Sequence, residues 1–243
     1  MRFPSCPRTR VFYIQKYMPN RVIVLVDGFN LYHALKGDKR TASKSKHKYN
    51  WRRYHKYKWL DVKKIAECFL QHGDEVTASY YFTAVHWGAE KAARHRHYID
   101  ALQAHSIETI EGEFKRRDIT CRAEGGCGRV FVKREEKKTD VNIATFLLGL
   151  ASEDAFDKVV LISGDNDLIP AIDWLKRLQP EKKLHVIIPI SRYATDDLKD
   201  TLHMLGYTYS VMKEKHLKKS QMPNRIELDD KTILNPYQSN NEE

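Results

Sequence analysis

Val22-Ile23-Val24-Leu25-Val26-Asp27-Gly28-Phe29-Asn30 runs five apolar, mostly β-branched residues straight into an acid, a glycine and a second polar side chain. An unbroken apolar run of that length is what a strand buried on both faces of a parallel sheet requires. About 135 residues further on, Val159-Val160-Leu161-Ile162 ends in Ser163-Gly164-Asp165-Asn166-Asp167. Open α/β sheets bind ligands at the carboxyl ends of their strands. Three acids gathered there would not all stay ionised unless a cation joined them. The two runs therefore predict a parallel sheet with a cation site at one edge.

Working outward, the spacing predicts further strands at about residues 75–83, 107–115, 183–189 and 207–211. Helices are predicted at about 29–35, 61–71, 88–105, 136–152, 168–178 and 196–205. A hairpin over 120–133 turns at Glu124-Gly125-Gly126. Strands alternating with helices imply an α/β fold, a doubly wound and mostly parallel sheet with helices on both faces. The expected organisation is an arm at 1–20, one domain at 21–212 and a polar, mobile tail at 213–243.

The chain has 243 residues, 42% of them apolar, enough for one well-packed α/β domain. No stretch approaches the roughly 18 apolar residues of a membrane span, so no membrane partner is expected. Met1-Arg2-Phe3-Pro4-Ser5-Cys6-Pro7 lacks an apolar signal core, which places the protein in the cytoplasm. Four cysteines do not make a disulfide framework, and reduced thiols are the simpler reading.

Net charge is +10, and between Lys36 and Lys58 stand ten Lys or Arg against the single acid Asp38. A long insertion at about 37–59 thus carries nearly the whole excess, which suits a polyanion. Tyr49, Trp51, Tyr54, Tyr57 and Trp59 interleave there with Lys48, Arg52, Arg53, Lys56 and Lys58. Cations neutralise phosphates and aromatic faces stack on unpaired bases, a mixture that fits single-stranded nucleic acid. The plainer alternative is a solvated loop whose aromatics anchor it to the core, and a protein partner or self-association would also use it. A second basic group, Lys115, Arg116, Arg117 and Arg122, either extends this track or is an ordinary solvated edge.

In the helix predicted at 136–152, Asp140, Ala144, Leu147, Leu148 and Ala151 share one stripe, with Glu136 a turn before Asp140. Acids in a first turn can merely complement the helix dipole, and Asp165 or Asp167 can merely cap a helix. Three blocks, however, Asp27-Gly28-Phe29-Asn30-Leu31, Glu136-Lys137-Lys138-Thr139-Asp140-Val141 and Ser163-Gly164-Asp165-Asn166-Asp167-Leu168, resemble in order and spacing the signature blocks of NYN domains. These belong to the PIN-like nuclease superfamily, and the resemblance covers about residues 21–212.

It implies a metal-dependent ribonuclease, most simply an endoribonuclease, whose substrate is RNA, with single-stranded DNA as the alternative. By position Asp27, Asp140, Asp165 and Asp167 take metal-ligand roles, Asn30 lines the site, and Glu136 helps place a metal or water. Oxygen ligands favour Mg²⁺ or Mn²⁺, as one ion or two. A nucleic-acid-binding module without turnover is the alternative from another class. A haloacid-dehalogenase-like phosphatase shares the late acidic motif but needs a second acid where Phe29 stands. Cys121 and Cys127 supply only two of the four ligands of structural zinc.

Overall fold

The computed structural model describes residues 18–36, 53–85, 88–121, 127–192 and 194–237. The expected arm falls outside that range almost entirely, as do Lys48, Trp51 and Arg52. Six strands form one all-parallel sheet: β1 (Asn20–Asp27), β2 (Asp74–Thr83), β3 (Glu108–Glu111), β6 (Lys158–Ile162), β7 (Lys183–Ile188) and β8 (Thr208–Val211). Their spatial order is β3-β2-β1-β6-β7-β8, so the chain winds outward from β1 and then outward again from β6. Between β1 and β6 lies the topological switch point, where a crevice opens at the strand carboxyl ends.

The apolar runs work as a doubly buried sheet demands. Val22, Val24, Val26, Val160 and Ile162 join one core cluster, while Ile23, Leu25, Val159 and Leu161 join the other. The first cluster takes in α1 (Gly28–Lys36), α2 (Val62–Glu67) and α3 (Ala89–Ala104). On the second face lie α4 (Thr139–Ser152), α5 (Ile169–Leu178) and α6 (Asp196–Met204). The α/β, doubly wound expectation is met. No helix among the described residues is long and apolar enough to cross a membrane.

Three expectations need correction. The strand expected at 107–115 breaks at Gly112, where a Cβ would lie 2.7 Å from Lys137 O and 2.9 Å from Thr139 Oγ1. Beyond it the chain leaves the sheet as an antiparallel ribbon, β4 (Glu113–Thr120) with β5 (Val130–Lys137), longer than the hairpin expected. As a result Glu136 belongs to a strand, paired with Phe114, and α4 starts at Thr139 after Lys138 in a left-handed conformation (φ 76°). Glu-Glu-Lys-Lys suits a helix by propensity, and cross-strand pairing overrides it.

The third correction concerns the chain beyond Glu214, expected to be mobile. It forms α7 (Glu214–Lys219) and a hairpin of β9 (Arg225–Glu227) with β10 (Thr232–Leu234), and it buries Leu217, Met222, Ile226 and Ile233 in the first core cluster. Trp59 and Tyr57 are buried beside it: Trp59 Nε1 donates to Pro223 O (2.7 Å) and Tyr57 Oη to Glu214 Oε1 (2.9 Å). For these two aromatics the anchoring alternative holds.

Candidate metal centre

Parallel pairing of Val26 with Ile162 sets the ends of β1 and β6 level, so Asp27 and Ser163 emerge side by side. Gly28 follows because nothing larger fits: a Cβ there would sit 2.4 Å from Tyr81 Cζ and 2.6 Å from Phe82 O. α4 crosses this edge from the other direction. Its fully buried residues are Thr139, Ile143, Leu147 and Ala151; Leu147 and Ala151 belong to the stripe expected, Ala144 and Leu148 are partly buried against the same core, and Asp140 is half-buried. Asp27, Asp140 and Asp165 each offer a carboxylate oxygen within 4.8 Å of the others.

Asp27 is almost fully buried and held from two directions. Asn30 N donates to its Oδ1 (2.8 Å) and Ser163 Oγ to its Oδ2 (2.8 Å). Ser163 Oγ also accepts from Asp165 N (3.1 Å), so one hydroxyl ties two acids together. Asp165 Oδ1 accepts from Asp167 N (3.1 Å), capping the 3₁₀ turn Asn166–Leu168. Ser163 escaped the sequence reading; the signal for it was that a buried aspartate needs donors.

Burial pushes the Asp27 carboxyl up to about 6; the bonds from Asn30 and Ser163 oppose this, while Asp140 and Asp165 add to it. Asp140 also rises to about 6, by burial first and then by the charges of Asp165, Glu136 and Asp167. At the opposite, amino-terminal end of the sheet acids are met by cations. Arg21 lies 2.9 Å from Asp157 and holds it below the usual carboxylate range, and Lys158 lies 2.6 Å from Asp74. Among the described residues no Lys or Arg forms an ion pair with Asp27, Asp140 or Asp165.

The donor set fits a hard divalent cation. All three groups are carboxylates with oxygens within 4.8 Å of one another, and Asp27, Asp140 and Asp165 would hold a hard divalent ion, which prefers oxygen donors. Asn30 Oδ1 is buried with no hydrogen-bond partner among the described residues, an acceptor waiting for a metal-bound water or another donor. Asp167 lies outside the group of three and adds negative potential at Asp140. Glu136 Oε1 accepts from Thr139 N (3.2 Å) and from Thr139 Oγ1, bracing the start of α4.

Of the residues expected to meet nucleic acid, Arg53 pairs with Glu214 and lies over the Tyr54 ring (5.5 Å). Both line a shallow cleft of about 400 Å³ with Ile190, Arg192 and Lys213. A Cβ at Gly164 would lie 3.9 Å from Arg192 Cβ, so the cleft adjoins the Asp165 loop. Lys56 lies over Tyr57 (5.1 Å) and Lys58 over Tyr32 (4.9 Å). Burial, with Lys36 and Arg94 nearby, lowers Lys58 to about 8.

The NYN domain family model matches residues 21–205. A search of curated proteins returned no match. A solved structure, the crystal structure of a protein of unknown function from Vibrio parahaemolyticus, is 18% identical; the alignment covers 83% of this chain and 98% of that one, with a TM-score of 0.48.

Proposed function

The chain belongs to the NYN domain family, within the PIN-like nuclease superfamily, and from that premise we propose that it is a divalent-metal-dependent ribonuclease. Its substrate on this reading is single-stranded or structured RNA, cut endonucleolytically at the Asp27–Asp140–Asp165 centre. The observation that carries the reading is the convergence of three carboxylates that form no ion pair with a Lys or Arg among the described residues. Acids left bare beside a polyanion would repel it, and a divalent ion removes that penalty.

Mg²⁺ or Mn²⁺, when bound, supplies Lewis acidity toward a phosphoryl oxygen and acidifies a water. Asp27 is the fixed ligand, since Ser163 and Asn30 orient both its oxygens. Asp140 and Asp165 close the site from α4 and from the loop after β6. Asn30 Oδ1, buried without a partner among the described residues, would accept a proton-bearing group there, and the ring of Phe29, two residues beyond Asp27, lies 6.4 Å from that of Phe114. The free thiols of Cys68, Cys121 and Cys127 accord with a reducing, cytoplasmic place of action.

The test is to incubate the purified protein with end-labelled RNA and DNA of one sequence, with Mg²⁺, Mn²⁺ or EDTA. Internal cleavage of RNA with either ion and none in EDTA is expected. Binding without cleavage under every metal condition would make the chain a silent nucleic-acid-binding module instead.

A further inference from the structure

The β4–β5 ribbon leaves the sheet at Gly112, close to Thr139 beside Asp140, and its register sorts Lys115, Arg116 and Arg117 onto two faces, Arg122 lying outside the described residues. Residues directly opposite in an antiparallel pair share a face, and that face recurs every second residue. Phe114 is opposite Glu136, and this pair adjoins the centre: the Phe114 ring lies 6.4 Å from that of Phe29, which follows Asp27 and Gly28, and Glu136 Oε1 accepts from N of Thr139, the residue before Asp140 (3.2 Å). Two residues outward on the same face Arg116 is opposite Arg134. On the far face Arg117 is opposite Lys133. One step along a face is about 7 Å, so the Cα positions of Arg116 and Arg134 lie one step outward from those of Phe114 and Glu136.

Like charges set directly opposite destabilise a strand pair, and a two-stranded ribbon exposed on both faces is marginal by itself. Here Val130, Phe131 and Val132 remain 64, 51 and 46% exposed and the strand is exposed up to Arg134. Compensation within the ribbon is partial. Asp118 accepts from Arg116 Nε (3.2 Å), so Arg116 keeps both Nη nitrogens without a carboxylate partner among the described residues. A planar fork of donors of that kind matches phosphate oxygens.

We propose that the β4–β5 ribbon is a substrate arm, in which Arg116 and Arg134 together hold backbone phosphates of an RNA strand on its way to the Asp27–Asp140–Asp165 centre. This rests on the ribonuclease reading. The anion is a phosphodiester rather than a protein carboxylate because the arm shares its face with the metal edge, where the phosphodiester must arrive. Recognition is sequence-independent, since phosphate contacts position a strand without reading its bases.

The test uses two charge-matched double variants of the whole chain, Arg116→Gln with Arg134→Gln, and Arg117→Gln with Lys133→Gln. Binding of a labelled single-stranded RNA is measured in EDTA across a salt series, so catalysis does not enter. The site-face variant is expected to bind on the order of tenfold more weakly, with a salt slope smaller by about 1.4, two contacts at about 0.7 each. In Mn²⁺ its KM should rise while kcat stays within about twofold. The far-face variant, with the same net charge, should lose much less. Equal losses in the two variants would overturn the arm, as would an unchanged slope in the site-face variant or a change confined to its oligomeric state. If instead the unmodified chain binds RNA with this face dependence but never cleaves it in Mn²⁺, the ribonuclease reading fails and the arm stands.

Discussion

At the scale of single residues, the strongest consequence concerns acids raised above their ordinary range. Asp27 and Asp140 ionise near 3.8 in the unfolded chain and near 6 when folded without metal. Between those values the folded state binds more protons, so metal-free stability falls as pH rises from about 4 to 6 and the penalty is complete above that. Asp140→Asn removes one buried charge. Its metal-free melting temperature should equal or exceed that of the parent at pH 7, with the difference shrinking toward pH 4.5, while most cleavage is lost. A variant that melts lower at pH 7 and equally at pH 4.5 would reverse the assigned sign. Ser163→Ala strips a donor from Asp27 and an acceptor from Asp165 N. Such changes typically cost about 10–100-fold in metal affinity. Titration with Mn²⁺ reads this directly.

The elements show how far the sequence can be read. β6 was legible from its apolar run, Val159–Ile162, because a doubly buried strand is nearly continuous in apolar residues; Lys158 adds one residue at its start, where Asp74 pairs with it. The helix expected from residue 61 does start there, with the Asp61 side chain accepting from Lys64 N (3.0 Å) as its N-cap, although it ends at Glu67 rather than near 71. Glu136 was misplaced because local propensity argues for a helix and the partner that overrules it, β4, is far from obvious in a basic, weakly apolar stretch. The stripe on α4 was legible at Leu147 and Ala151, but Thr139 and Ile143 rather than Asp140 and Ala144 complete its buried row, because the helix starts at Thr139. The break at Gly112 depends on close approach to Lys137 O, which no local pattern encodes. Gly28→Ala tests the tight junction between β1 and α1. A methyl group at 2.4–2.6 Å from Tyr81 and Phe82 forces a shift, costing about 1–3 kcal/mol in denaturant unfolding and disturbing Asp27. Stability and activity both within error of the parent would show that the junction yields easily.

For the molecule as a whole, charge is divided along the sheet: Asp157 and Asp74 at the amino-terminal end are paired with Arg21 and Lys158, whereas Asp27, Asp140 and Asp165 at the carboxyl end form no ion pair with a Lys or Arg among the described residues. That imbalance is what an ion must correct, and the strand-end acids that form it were legible from the first apolar run onward. The segment after Glu214 was not, because Leu217, Met222, Ile226 and Ile233 are too sparse to show a period and become core only within the cluster they share with Trp59, Leu60, Val62, Ile65 and Tyr98. Leu217→Ala should therefore cost about 2–5 kcal/mol, as for a fully buried leucine. A loss below 0.5 kcal/mol would return that segment to the periphery. Zinc is a second whole-molecule test. The oxygen-only centre predicts full activity with Mg²⁺ or Mn²⁺ alone, and activity restricted to Zn²⁺ bound at Cys121 and Cys127 would contradict it.

The most direct measurement is the single-turnover cleavage rate of labelled RNA by Asp165→Asn beside the parent chain, in saturating Mn²⁺, with both proteins shown to melt alike. Loss of a metal-ligand charge predicts a rate lower by at least about 100-fold, some 2.7 kcal/mol of barrier. A folded Asp165→Asn protein that cleaves within twofold of the parent would contradict the metal centre outright.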